Sequence, residues 1–257
     1  MWGIDTLIKT KSVGEVNGRL PNGLKGGKSS QPIPHEQETN YFFIQNITNR
    51  ENGELYVSGA SGKVLEYSTD KATWHELDTT ELPEIHPLQK LYLRGTNTNV
   101  IGLKLSCTEP FIIGGDITTL LADEGGIKYK TRNVFGGMFN VETYGKNLYD
   151  ASMLYLPATE LTDNAYKEMF KGCENLLYAP LLRATTLASG CYRSIFDGCK
   201  SLEVVAVDFT QWGENSETKD WLKDTNQRGT IYNPIALPTP QQRTTDTIPI
   251  GWSVIDE

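Results

Sequence analysis

Few residues in this chain have the type and spacing for chemistry. Three histidines, His35, His75 and His86, stand apart, with no H-x-x-x-H spacing and no adjacent cysteine, so the usual zinc-ligand pattern is missing. The stretch Pro21 to Ser29 ends in Gly26-Gly27-Lys28-Ser29 and invites comparison with a phosphate-binding loop. That motif needs a glycine five residues before its last glycine, where Asn22 stands, and Pro32 and Pro34 oppose a following helix. No G-x-S-x-G elbow occurs, and Gly59-Ala60-Ser61-Gly62 reads as a hairpin turn. Cys107, Cys173, Cys191 and Cys199 form no C-x-x-C pair and read as buried free thiols. Asp123, Glu124, Glu214 and Asp220 are carboxylates available to a glycoside-cleaving pair only because such residues need not be close in sequence. The sequence therefore predicts no catalytic residue, no metal and no cofactor.

Two further groups bear on binding. Trp212 and Trp221 lie in a polar stretch, where an indole can stack on a sugar face; the competing expectation is that Trp221 and Trp252 plug the end of a core. Residues 1–30 carry Lys9, Lys11, Arg19, Lys25 and Lys28 against Asp5 and Glu15, a balance of +3, which leaves −11 on the rest of a chain whose net charge is −8. That acidic total disfavours nucleic acid as a partner. A basic arm on an acidic body suits docking, with Trp2 and Ile4 as apolar anchors beside the five cations, although a solvated tail has the same composition.

The elements that would position these groups are short. Glycines and prolines make residues 1–40 an extended arm. Residues 41–120 alternate like strands at about ten-residue spacing, as in Ile101-Gly102-Leu103-Lys104-Leu105, and predict an immunoglobulin-like β-sandwich with Trp74 in its core. Residues 121–146 read as a connector or N-terminal repeat cap. No apolar run reaches the roughly 20 residues of a membrane span. The N-terminus has no apolar export segment, which points to synthesis in a cytoplasm.

The repeat is the strongest signal. Leu161, Ala165, Tyr166, Met169, Phe170, Gly172, Cys173 and Leu176 recur 26 residues later as Leu187, Cys191, Tyr192, Ile195, Phe196, Gly198, Cys199 and Leu202. A 26-residue period lies in the leucine-rich-repeat range, and one unit cannot cover its own apolar face, so neighbours must stack. Within a unit, the four-residue steps Leu161, Ala165, Met169 and Cys173 predict a short helix, capped by Asp163 or Ser189 and ended at Gly172 or Gly198. Leu176 to Ala179 and Leu202 to Ala206 predict strands. The expected class is mainly β with short helices: extended arm, sandwich, then a leucine-rich-repeat-like solenoid with C-terminal cap over residues 147–257.

The segments Leu156-Pro157-Ala158-Thr159-Glu160-Leu161, Met169-Phe170-Lys171-Gly172-Cys173-Glu174-Asn175-Leu176 and Ile195-Phe196-Asp197-Gly198-Cys199-Lys200-Ser201-Leu202 resemble the repeats of BspA-like leucine-rich-repeat proteins of Bacteroides-type gut bacteria and their crAss-like phages. Gly229 to Pro234 and Ile248 to Trp252 are similar to the closing cap of that family, and Tyr67 to Trp74 to the hairpin of the sandwich that often precedes its repeats. Arg183 departs from it, standing where a proline is usual. The resemblance implies a virion structural protein such as a head fibre, tail fibre or capsid decoration. Residues 1–40 would dock on other virion proteins, the oligomer would be homomeric and by analogy trimeric, and the ligand would be a host-surface glycan or protein. A bacterial cell-surface adhesin is the alternative, and a glycan-processing enzyme the second alternative.

Overall fold

The computed structural model describes residues 41–122, 134–212, 216–233, 237, 240 and 242–255. The expected docking residues Trp2, Ile4, Lys9, Lys11, Arg19, Lys25 and Lys28 lie outside them, as do Asp123, Glu124 and Glu214.

The described chain is mainly β. Its strands are β1 (Phe42–Asn46), β2 (Gly53–Ser58), β3 (Leu65–Ser68), β4 (His75–Glu76), β5 (Glu84–Ile85), β6 (Lys90–Gly95), β7 (Lys104–Cys107), β8 (Phe111–Asp116), β9 (Leu148–Tyr155), β10 (Tyr178–Leu182), β11 (Val204–Val207), β12 (Gly229–Tyr232) and β13 (Trp252–Ile255). Ten of them form one sheet in the order β13-β12-β11-β10-β9-β8-β1-β6-β3-β4, and β5-β2-β7 form a second. The long sheet is antiparallel from β4 to β8 and parallel from β8 to β13. β8 is the hinge between the two regimes, antiparallel to β1 and parallel to β9. The strand-rich and repeat segments thus share one sheet.

Side chains alternate between the two faces of the sheet as the pleat requires, and one face enters the main core. Phe42, Ile44, Leu91, Leu93, Phe111 and Ile113 point inward and are fully buried, against Leu55, Ile85, Leu105 and Cys107 of the smaller sheet. Each is worth about 2 kcal/mol of burial. Farther along, Ala151, Leu154, Leu182, Val205, Val207 and Ile231 continue the inward face.

The expected helices are not there. The segments opposite the parallel strands are ribbons of overlapping turns, in which every fourth residue is left-handed: Asn164, Glu168 and Gly172, then Gly190, Ser194 and Gly198, then Ser216, Asp220 and Asp224. Ala165, Lys167, Met169, Lys171 and Cys173 each donate their N–H to the carbonyl three residues back. The left-handed residue stands third in every second turn, where a type II turn demands it. The intervening N–H groups leave the ribbon for the next layer: Tyr166 donates to Cys191, Glu168 to Arg193, Phe170 to Ile195 and Gly172 to Asp197. A helix would bond these groups within its own turn. The four-residue apolar spacing that predicts a helix therefore reflects the turn ribbon, whose side chains return to one side every four residues.

The layers repeat beyond the two units legible in sequence. Tyr192, Ser194, Phe196 and Gly198 donate to Glu217, Lys219, Trp221 and Lys223, and Phe135, Gly137 and Phe139 donate to Ala165, Lys167 and Met169. Rings stack in two ladders, Phe135–Tyr166–Tyr192 and Phe139–Phe170–Phe196, with centroids 5.4 to 6.1 Å apart and planes within 14°. Among the described residues no helix is long and apolar enough to cross a membrane.

Candidate functional site

The outward face of the ten-stranded sheet carries the side chains that alternation turns away from the core. Strand pairing lines them up in rows. Ser68, Tyr92, Phe43, Gly114 and Met153 make the middle row through the pairs Ser68–Tyr92, Tyr92–Phe43, Phe43–Gly114 and Gly114–Met153. Gly114 lets the Phe43 ring lie against the sheet, since a Cβ there would stand 2.5 Å from its Cζ. Lys90 and Lys71 place their ammonium groups 4.1 Å and 4.7 Å from the Phe43 and Tyr92 ring centres. A second row runs from Gln45 through Ile112, Asp150 and Tyr178 to Val204 and Thr230. Ile112, Ile47, Tyr149 and Met153 form a small apolar cluster on this face.

Asp150 is the unusual member, a carboxylate 3% exposed on a sheet. Burial pushes it up to about 6, while the N–H of Ser152, 2.7 Å from its Oδ1, works the other way. Tyr178 beside it is raised to about 12, mainly by burial.

The third row is half-exposed and chemically mixed. Glu66 pairs with Arg94 in the β3–β6 register, Tyr41 bridges to Asp116, and Asp116 pairs with Tyr155. Arg94 donates from Nε to Glu66 Oε2 at 2.7 Å, and this hydrogen bond holds Glu66 below its ordinary range. The same guanidinium lies 4.1 Å from the Trp74 ring centre, and Tyr41 meets Trp74 edge-on at 4.5 Å. At the far end the Arg183 guanidinium sits 5.4 Å from the Tyr155 ring centre. Burial raises the neighbouring Asp208, and the charge of Arg183 opposes the shift.

Trp74 reaches this row through its hairpin. Ser68 Oγ accepts from Lys71, and Asp70 Oδ1 accepts from Ala72 and Thr73 at 2.8 Å. Those last two bonds hold Asp70 down to about 2. The closed turn delivers Trp74 to the outward side, half-exposed, with its Nε1 donating to the Lys71 carbonyl. The expectation of Trp74 in the sandwich core is thereby corrected.

The other residues singled out from sequence are placed as follows. Trp221 is fully buried and donates from Nε1 to the Thr247 carbonyl at 2.8 Å, so no face of it is open to a ligand and the ligand-contact expectation fails for it. Trp212 is half-buried, with Phe209 5.9 Å and Trp221 6.1 Å away between ring centres, and serves the same packing. Trp252 is 2% exposed and packs on Gly229, where a Cβ would come within 2.6 Å of its indole. The four cysteines are free and buried. His75 is exposed beside Tyr67, and His86 contacts Asn52. Asp220 lies in a turn, with its backbone N–H on Asp246 Oδ1. Among the described residues no group of three or more His, Cys, Asp or Glu is placed to hold a metal ion.

The third row went unread in sequence because Tyr41, Trp74, Arg94, Asp116, Tyr155 and Arg183 belong to separate segments joined only by strand register. The one local signal was Arg183, out of place in its repeat. Comparison with protein-family profiles, with characterised proteins and with solved structures finds no match.

Proposed function

We propose that this chain is a non-enzymatic structural and binding protein of a phage particle, a head fibre, tail fibre or capsid decoration. Residues 1–40 anchor it to other virion proteins, and the outward sheet face meets the host surface. The observation that carries the reading is the third row, a half-exposed line of aromatic and charged side chains set on one rigid sheet. Binding surfaces are precise when their side chains stand on packed strands.

Parallel strands at 26-residue intervals, Tyr178 to Val204 to Thr230, support a leucine-rich-repeat-like solenoid. Two sheets facing across one core support an immunoglobulin-like sandwich for the first half. The non-catalytic part of the reading is supported by thiols that burial holds protonated, Cys107 near 11 and Cys191 near 12. Homo-oligomers, trimers above all, suit a fibre by analogy.

The same outward row suits a bacterial cell-surface adhesin, which is the second reading. The deciding experiment is the protein inventory of purified particles. This chain among their stoichiometric components supports the virion reading, and its absence from them ends it.

A further inference from the structure

We propose that the outward row from Trp74 to Arg183 is a binding site for a neutral, hydroxyl-rich saccharide. The proposal rests on the reading of this chain as a surface-binding protein and names the ligand of that site.

The row offers what a sugar's two kinds of surface require. Trp74, Tyr41 and Tyr155 supply aromatic faces and edges for apolar C–H patches. Between them stand hydrogen-bonding groups of both polarities. Arg94 and Arg183 bring rigid forks of N–H donors, and Glu66 and Asp116 bring carboxylate acceptors. Vicinal hydroxyls, each both donor and acceptor, are matched by such alternation.

Arg94 and Trp74 hold each other at 4.1 Å, and Arg183 and Tyr155 at 5.4 Å. Stacked in this way the guanidinium groups lose little freedom when a ligand arrives. From the β6 strand of Arg94 to the β9 strand of Tyr155 is three strand spacings, about 14 Å. That length takes an extended chain of sugars better than a single residue.

Charge decides between neutral and acidic glycans. Two arginines stand among three carboxylates, Glu66, Asp116 and Asp208, and Arg94 is already paired with Glu66 at 2.7 Å. A ligand with its own carboxylate or sulfate would meet repulsion with no cationic excess to offset it. Arg183 is the added element, because its place in the repeat is one where a proline would leave Tyr155 without a donor.

The test is the purified full chain on a printed array of neutral and acidic glycans, with Tyr155→Ala, Arg183→Ala and, beside the smaller sheet and away from the row, the exposed His86→Ala. Thermal unfolding of each variant checks that the fold is kept. The expected result is signal on neutral glycans that falls about tenfold in Tyr155→Ala and in Arg183→Ala and stays in His86→Ala. Signal confined to acidic glycans, signal that survives both row substitutions, or an array silent for the wild-type chain each overturns the inference. The particle inventory stands apart: a chain found in virions yet blind to neutral glycans leaves the virion reading intact and removes this one.

Discussion

Phe170 and Phe196 stack with ring centroids 5.6 Å apart and planes inclined by only 14°, one repeat period separating them in sequence. Phe139 stacks on Phe170 from the other side at 5.4 Å, so the Phe170 ring is held on both faces and is fully buried. Phe170→Ala should therefore cost about 3–5 kcal/mol, because neighbouring layers bonded through their backbones cannot close the cavity. Denaturant unfolding of the variant checks the magnitude. A loss under about 1 kcal/mol would mean that the ladder is not the shared core of the layers.

Left-handed residues in the turn ribbon make a separate prediction. Gly172 has φ 79, and a Cβ built on it meets nothing within 4 Å, so Gly172→Ala isolates the cost of backbone conformation. That cost should be about 1–2 kcal/mol. The converse change, Ser194→Gly at φ 51, should be neutral or slightly stabilising, since relief of strain offsets the extra freedom of the unfolded glycine. Thermal unfolding should come clearly earlier in Gly172→Ala and at or slightly above the wild-type temperature in Ser194→Gly. If Gly172→Ala is silent, the ribbon is not built on left-handed residues.

These two variants mark what was and was not legible in sequence. The period was legible because side chains repeat in identity: Phe170 with Phe196, Cys173 with Cys199, and Tyr166 with Tyr192. The backbone was not, because a four-residue apolar step lies close to the 3.6 of a helix. Left-handed positions held by Glu168 and Ser194, instead of glycine, give no turn signal. The layer of Phe135 and Phe139 is legible only as a connector or N-terminal repeat cap, because its ring ladder matches Phe135 with Tyr166, an offset of 31 instead of 26. The outward row was invisible for another reason: Arg94, Tyr41 and Tyr155 become neighbours only through the registers of β6, β1, β8 and β9.

Asp150 gives the chain a pH dependence whose sign can be worked out. Its folded value of about 6 lies above the ordinary 3.8, so the folded chain holds this proton more tightly than the unfolded chain does. The contribution favours folding fully below 3.8 and is lost as pH rises through 6, roughly 3 kcal/mol in all. Asp150→Asn keeps an acceptor for the Ser152 N–H and removes the buried charge. It should stabilise the protein at pH 7.5 and be near neutral at pH 3.5. Urea unfolding of both chains at the two pH values reads this difference free of the other carboxylates. A variant less stable than wild type at pH 7.5 would show that the ionised Asp150 is better satisfied than its burial implies.

The thiols test the closure of the same core from the solvent side. Cys173 Sγ lies 3.4 Å from the Phe139 carbonyl and Cys199 Sγ 3.1 Å from that of Phe170, each linking its layer to the one before. Burial pushes both thiols far above their ordinary range, and raises Cys107 to about 11 and Cys191 to about 12. A thiol must be both exposed and ionised to attack a disulfide reagent. Native protein at pH 8 should therefore react with Ellman's reagent only at the rate at which it opens, and all four cysteines should react at once in guanidinium. Cys199→Ser trades the sulfur for a smaller, more polar hydroxyl at the same carbonyl, and should cost about 1–3 kcal/mol. A fast-reacting thiol in the native chain at pH 8 would mean that at least one layer is open to solvent, and that the repeats do not share a sealed interior.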